Sequence, residues 1–123
     1  MGTANVNSIM NKLGYINDLL FSNNLSVLVI CETWLTAACP SSYVSLPGFV
    51  FFRGDVLGSV KKHGVGIYVR ESLTVVPVEV DLPNLVIVFV VQWSLYVVAL
   101  YRPPSYSGES PSWMLKLCCT VHR

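Results

Sequence analysis

Charged side chains are scarce in this chain of 123 residues. It has eight Lys and Arg against seven Asp and Glu, so charged residues make up 12% of the sequence and the formal net charge is +1. Non-specific affinity for nucleic acids normally requires a strongly basic surface. A nucleic-acid function would therefore depend on a defined site and not on bulk charge.

The sequence is correspondingly apolar. Hydrophobic residues make up 53% of it, and the mean hydropathy is +0.56. A self-sufficient soluble domain of this length usually has a larger share of charged surface. The length fits one domain with a real core, and we expect that domain to be part of a larger sheet sandwich.

Two further signals are missing from the sequence. The four cysteines have no spacing typical of a metal site, and the adjacent Cys118 and Cys119 cannot form an ordinary disulfide with each other. This pattern favours free thiols in a reducing compartment. Since the first twelve residues contain no apolar run typical of a signal peptide, we predict an intracellular protein, nuclear or cytoplasmic.

Residues 85–101 form a long apolar stretch that resembles a membrane span in hydropathy alone. The stretch is β-branched and aromatic throughout and is interrupted at residues 92–94. A helix that crosses a bilayer needs roughly 20 apolar residues. Two buried strands joined by a tight turn fit the pattern better. We therefore predict no membrane association, with a small membrane protein as the alternative.

A helix is predicted near the start of the chain. Apolar residues recur at spacings of four, three and four between Ile9 and Leu20, which is one face of a helix. Asn7 or Ser8 would cap its start. The continuous, β-branched run at residues 27–31 then predicts a strand that is buried on both faces.

Strands are predicted for most of the remaining chain. They cover residues 49–53, 64–70 and 73–80, and the pair within 85–101. The connections and ends are interpreted as a mobile loop at 54–63, a short helix at 110–117 and an unstructured tail at 118–123.

Glu32 follows the predicted buried strand directly. A rigid strand would fix the carboxylate while the loop exposes it, which suits the binding of metals and phosphates. The alternative is a solvated residue at the end of a strand, which is the commoner case for a single glutamate.

His63 and the cations beside it are interpreted as a solvated loop. His63 follows Lys61 and Lys62, and nothing nearby in the sequence supplies the orienting partner that a general base needs. Lys61, Lys62 and Arg70 could contact a nucleic-acid backbone, but a charged loop is the commoner explanation. We assign no catalytic role to His63, and none to His122 in the tail.

Four short motifs, taken in order, resemble a known family. They are NVNSI from Asn5, ETWL from Glu32, GVGIYVR from Gly64 and YRPP from Tyr101. Together they are similar to the endonuclease/exonuclease/phosphatase superfamily, and more closely to the apurinic-endonuclease-like domain of non-LTR (LINE-type) retrotransposons. We therefore predict a domain of this type at residues 1–113, followed by a tail unrelated to the family at residues 114–123.

The resemblance implies a fold and a chemistry. The family fold is a DNase I-like, four-layer α/β sandwich that hydrolyses phosphodiesters with Mg²⁺, and DNA is the implied partner. Glu32 matches the metal-binding glutamate, Asn5 the asparagine that positions metal and phosphate, and Tyr101 the tyrosine whose hydroxyl contacts the phosphate. The structural alternatives are that Asn5 only begins the helix and that Tyr101 only packs at the end of a strand.

The chain departs from the family in what it lacks. The family continues with an Asp-x-Asn motif and an Asp-His pair, whereas no Asp follows Asp81 here and His122 is the only later histidine. The family's first strand should precede Asn5, where only four residues remain. We expect a truncated, N-terminal part of the sandwich, with little or no activity because catalytic groups act together.

The expected fold is accordingly partial. We predict mainly one mixed β-sheet with the N-terminal helix packed on it, a second sheet that is largely missing, and an exposed apolar face. That face supports the alternative function, a β-rich interaction module that self-associates or pairs with another chain.

Overall fold

The computed structural model describes residues 1–55 and 63–101 with their side chains, and residues 118–122 as backbone. The helix and strands in these ranges are β1 (Gly2–Asn5), α1 (Leu13–Ser22), β2 (Val27–Cys31), β3 (Phe49–Gly54), β4 (Val65–Arg70), β5 (Val75–Val78), β6 (Leu85–Val90), β7 (Leu95–Leu100) and β8 (Cys118–His122). Short 3₁₀ helices lie at Ile9–Asn11, Ser41–Val44 and Val91–Trp93.

The strands form two four-stranded sheets. The first has the order β1-β2-β4-β3, and the second has the order β5-β6-β7-β8. Strand β1 runs parallel to β2, whereas all other pairs are antiparallel. Strand β2 is buried at all five positions, as its uninterrupted apolar sequence predicts.

Two apolar layers explain the burial of β2 on both faces. Alternate residues of a strand point to opposite faces, so that Val27 and Val29 face the second sheet while Leu28 and Ile30 face the helix layer. The core between the sheets consists of Val27, Val29, Cys31, Val65, Ile67, Val69, Val86, Val88, Val90, Val97, Ala99 and Tyr101. The core under α1 includes Ile16, Leu20, Leu28, Ile30 and Tyr68.

The predicted fold class is confirmed. The chain is an α/β sandwich in which the N-terminal helix packs on a mixed sheet. The predicted pair of strands within residues 85–101 is present as β6 and β7, joined through a 3₁₀ turn. In the described part of the chain, no helix is long and apolar enough to cross a membrane.

The prediction that the second sheet is largely missing was wrong. Consecutive antiparallel strands β5, β6 and β7 pair with each other through short connections, so this sheet forms without partners from a distant part of the chain. The first strand is also present: the four residues Gly2–Asn5 suffice for a short strand because β2 provides a ready edge.

The start of the predicted N-terminal helix and the predicted tail need correction, whereas α1 ends at Ser22. Asn7 and Ser8 have positive φ values of 45° and 83°, so the α-helix begins only after Lys12, behind a 3₁₀ turn. Residues 118–122 are not unstructured but form β8 on the edge of β7. The predicted helix at 110–117 and most of the predicted loop at 54–63 lie outside the described residues.

The outer face of the second sheet is apolar and exposed. Val76, Phe89 and Tyr96 lie side by side across three strands, and the rings of Phe89 and Tyr96 are 4.8 Å apart. Val76 is 52% exposed and Tyr96 43%. We call the face formed by these three residues and Leu100 the outer apolar face.

Candidate active site

Glu32 lies at the carboxyl end of β2, where the backbone leaves the sheet in an unusual conformation. Its φ is +57°, and that of Trp34, two residues later, is +58°. Non-glycine residues in this left-handed region are uncommon and tend to cluster at functional sites, where the surrounding structure holds them in place. The fully buried Thr33 between them anchors the turn.

One side of this turn is held by the segment that follows β1. The Ser8 N–H donates to the Glu32 carbonyl at 2.8 Å, and the Ile9 N–H donates to the Thr33 carbonyl at 3.0 Å. The first two motifs of the sequence are therefore neighbours in space, as a parallel β1–β2 pair requires.

The other side is held by the residues that lead into β4. The Trp34 N–H donates to the His63 carbonyl at 2.9 Å, and the Thr33 N–H donates to the Gly64 carbonyl at 3.3 Å. The Glu32 turn thus lies between two backbone segments and is fixed on both sides.

Tyr101 reaches Glu32 from the second sheet. Its hydroxyl donates to Glu32 Oε1 at 3.2 Å, and the side chain is only 3% exposed. Burial, the negative charge of Glu32 and this hydrogen bond all favour the neutral phenol, and together they raise the pKa of Tyr101 to about 12. The structure thus brings together two of the three predicted site residues, which are 69 positions apart in the sequence.

We expect the Tyr101 phenol to make stability depend on alkaline pH. Its pKa in the folded chain, about 12, exceeds the ordinary value of 10.0, so its stabilising effect is complete below pH 10 and is lost as the pH rises towards 12. Urea unfolding across this range should show a falling free energy of unfolding, with a smaller fall for Tyr101→Phe. Tyr43→Phe, at an exposed position, is the control; an equal fall in both variants would contradict the assignment.

Asn5 lies beside this pair but is bonded differently. It is opposite Cys31 in the β1–β2 register, one position from Glu32. Its Oδ1 accepts the N–H of Asn7 at 3.2 Å, and it lines a cavity of about 440 Å³ with Lys12 and Tyr15. The structure therefore places Asn5 at the end of β1, beside the end of β2. There its side-chain oxygen accepts a hydrogen bond from the loop that follows β1.

The interpretation of His63 as part of a solvated loop was wrong. Its ring lies 5.3 Å from that of Tyr101, centroid to centroid, at a tilt of 36°. Its Nδ1 is buried and has no hydrogen-bond partner in the described part of the chain. The sequence around His63 is polar and gives no sign of this packing, which depends on Tyr101 from the other sheet.

Asn84 is a residue of the candidate site that no motif of the sequence indicates. Its Oδ1 accepts the Gly64 N–H at 2.7 Å, its carbonyl accepts the Tyr101 N–H at 3.0 Å, and its N–H donates to the Asp55 carbonyl at 3.4 Å. It is 8% exposed. Asn84 therefore connects the two sheets through Gly64, Asp55 and Tyr101. The only sequence signal for it is the Pro-Asn dipeptide at residues 83 and 84, which is typical of a turn.

We expect Asn84→Ala to lower the free energy of unfolding by about 2 kcal/mol. The substitution leaves the buried Gly64 N–H without an acceptor and keeps a non-glycine residue at a φ of +57°. Asn84→Asp retains an acceptor and should cost less. Chemical denaturation of the three proteins measures this, and a loss below about 0.5 kcal/mol for Ala, the range of ordinary surface substitutions, would contradict the role.

The carboxylate of Glu32 suits a hard cation such as Mg²⁺. Within residues 1–55 and 63–101, no group of three or more His, Cys, Asp or Glu side chains could enclose a metal ion. A zinc site built wholly from protein ligands is therefore not formed by these residues. Mg²⁺ commonly uses one or two carboxylates and completes its shell with water and phosphate oxygens, and the partly exposed Glu32 fits that requirement.

No protein-family model and no curated protein matches the chain. Solved structures do match. A 3'-5' exonuclease from Neisseria meningitidis is similar with a TM-score of 0.64 and 22% identity, over 90% of this chain and 44% of that protein. The same values describe a 3' phosphatase from Neisseria bound to a product DNA hairpin. An AP endonuclease from Leishmania major is similar with a TM-score of 0.57 and 16% identity, over 72% of this chain and 34% of that one.

These similarities establish the fold. The chain spans less than half the length of each of these solved structures. Its two sheets and N-terminal helix correspond to part of the DNase I-like sandwich of these enzymes.

Proposed function

We propose that the chain is the N-terminal part of a Mg²⁺-dependent, phosphodiester-hydrolysing endonuclease domain of retrotransposon type. The observation that carries the proposal is the hydrogen bond between Glu32 and Tyr101 at the carboxyl end of β2, within a sandwich similar to that of a 3'-5' exonuclease. The retrotransposon type rests on the order of the four sequence motifs. DNA is the proposed substrate, in keeping with the product hairpin bound by the Neisseria phosphatase.

Each site residue has a defined part in this proposal. Glu32 would hold Mg²⁺ through its carboxylate, and the bound ion would stabilise negative charge on the phosphate. Tyr101 orients the Glu32 carboxylate by donating to Oε1 and keeps its own proton because of its raised pKa. Asn5, one position from Glu32 on the neighbouring strand, would position the phosphate with its amide.

The chain by itself is proposed to turn over slowly or not at all. No aspartate follows Asp81, so the sequence has no counterpart of the family's water-orienting Asp-x-Asn motif, and none of its Asp-His pair. The loss of one member of a catalytic unit removes most of the rate enhancement. We propose that the family-like domain spans residues 1–113, with residues 114–123 outside the family pattern.

Nicking of supercoiled plasmid tests this function. Purified chain with Mg²⁺ should leave the plasmid largely supercoiled, as in EDTA and as with Glu32→Ala. Rapid nicking that requires both Mg²⁺ and Glu32 would contradict the proposed inactivity while supporting the metal site. Nicking that is the same with Glu32→Ala would contradict the role of Glu32.

The outer apolar face favours a second candidate function, a module that self-associates or pairs with another chain. Exposed apolar patches on sheets commonly mark interaction surfaces, and Tyr96 and Leu100 are 43% and 40% exposed.

For this second function we expect Tyr96→Lys to abolish self-association. The substitution places a charge within the outer apolar face, next to Phe89, where the charge would have to be desolvated in any interface. Sedimentation velocity over a range of concentrations measures the result. Tyr43→Lys, at an exposed position in the first half of the chain, should leave association unchanged. A monomeric unaltered chain would contradict self-association through this face.

A further inference from the structure

His63 is held rigidly beside the Glu32–Tyr101 pair. Its carbonyl accepts the Trp34 N–H at 2.9 Å, and the next residue, Gly64, donates its N–H to Asn84 Oδ1 at 2.7 Å. The imidazole packs against the Tyr101 ring. Its position is therefore fixed by contacts from both sheets.

The two edges of the His63 ring differ. Nδ1 is buried and lacks a hydrogen-bond partner among the described residues, whereas the residue as a whole is only partly buried. A hydrogen bond from a ligand to this ring would therefore involve Nε2 and not the buried Nδ1. A buried N–H without an acceptor is costly, which favours Nε2 over Nδ1 as the ring nitrogen that donates to a ligand.

The hydrogen bond between Tyr101 and Glu32 reduces the number of donors that the site can offer to a phosphate. The phenol has one O–H, and it is used by Glu32 Oε1. The Glu32 carboxylate itself repels a phosphate. The Lys12 ammonium uses one of its three N–H donors on the Val6 carbonyl at 3.0 Å. A phosphodiester at this site would gain from a donor besides the Asn5 amide, and the ring of His63 lies against that of Tyr101.

We propose that His63 binds a non-bridging oxygen of the phosphodiester by donating its Nε2–H. The proposal rests on the proposed function, since it assumes a phosphodiester at the Glu32–Tyr101 pair. It makes His63 a substrate-binding residue, although neither the motifs nor the polar sequence around it indicated one.

Nitrogen NMR of the full chain tests the tautomer directly. The chain has two histidines, so ¹⁵N-labelled histidine gives two ring systems, which His122→Gln assigns. We expect the His63 ring to be protonated on Nε2. Addition of a short DNA hairpin with Mg²⁺ should shift Nε2 of His63 and leave His122 unchanged. A proton on Nδ1, or an unmoved His63 when the hairpin binds, would overturn the proposal.

Substitutions separate hydrogen bonding from packing. His63→Gln places an amide N–H near the position of Nε2, His63→Asn places one only near Nδ1, and His63→Phe keeps a ring against Tyr101 without a donor. A hydrogen bond to a charged group corresponds to roughly a tenfold change in affinity or more. We expect the His63→Asn and His63→Phe variants to lose about tenfold in hairpin affinity or more. His63→Gln should retain most of the affinity, and His122→Gln should leave it unchanged.

The outcomes distinguish this inference from the function on which it rests. If Glu32→Gln loses hairpin binding while His63→Phe retains it, the role of His63 is overturned and the proposed function stands. If the unaltered chain binds no hairpin, both are overturned. Circular dichroism checks that each variant folds. If a variant does not fold, the NMR measurement of the tautomer in the unaltered chain tests the role of His63 instead.

Discussion

Gly54→Ala is expected to lower the free energy of unfolding by about 3 kcal/mol or more. Gly54 ends β3 at a point where the backbone of β6 passes directly over it. A Cβ there would lie 2.7 Å from the Leu85 carbonyl carbon, and closer still to its oxygen. Because the obstacle is backbone and not a flexible side chain, the two sheets would have to separate locally. The loss is a large fraction of the stability of an ordinary domain.

Gly14→Ala is the matched control for this effect. Gly14 lies within α1, and a Cβ there meets nothing within 4 Å. Alanine is a better helix former than glycine, so this variant should gain roughly 0.5–1 kcal/mol. Urea denaturation measures both variants. Equal stabilities for the Gly54 and Gly14 variants would show that β3 and β6 do not approach each other as described.

Gly64→Ala is expected to cost about 2–3 kcal/mol and to disturb the candidate site. Gly64 has a φ of +103°, a conformation that is unfavourable for alanine, and an added Cβ would lie 2.5 Å from Thr33 Oγ1. Thr33 is fully buried and cannot move aside without shifting its neighbour Glu32. The two costs add, and backbone NMR shifts around residue 32 should change together with the stability.

Gly48→Ala separates the two costs. Gly48 also has a positive φ, +83°, but a Cβ there meets nothing within 4 Å. Its variant should therefore lose only the conformational part, about 1 kcal/mol, and leave the signals of the Glu32 turn unchanged. If Gly48→Ala and Gly64→Ala lower the free energy of unfolding equally, the predicted clash between the added Cβ and Thr33 is contradicted.

Local sequence patterns were sufficient to predict much of the fold. The uninterrupted apolar run of β2 predicted a strand buried on both faces, and that strand is central to the first sheet. The interruption at residues 92–94 predicted the β6–β7 pair. Both predictions succeed because a strand buried on two faces and a tight turn each require a particular pattern of residues within a short stretch of sequence.

Contacts between distant segments could not be predicted in this way. His63 lies in a stretch whose composition is typical of a surface loop, yet it packs on Tyr101, which belongs to the other sheet. Asn84 satisfies a buried N–H 20 positions away. Five residues at the end of the chain become β8 because β7 offers an edge. In each case the conformation depends on a contact with a residue distant in the sequence, and not on the residues adjacent in the sequence.

Binding of a labelled DNA hairpin, followed by fluorescence anisotropy in Mg²⁺ and in EDTA, tests the proposed metal site at Glu32 most directly. The unaltered chain should bind about tenfold more tightly or better in Mg²⁺ than in EDTA, a gain of about 1.4 kcal/mol. Glu32→Gln should lose that gain, whereas Glu71→Gln, at an exposed position after β4, should keep it. Equal affinity in Mg²⁺ and EDTA, or a Mg²⁺ effect that survives in Glu32→Gln, would contradict the assignment of Glu32 as the metal ligand.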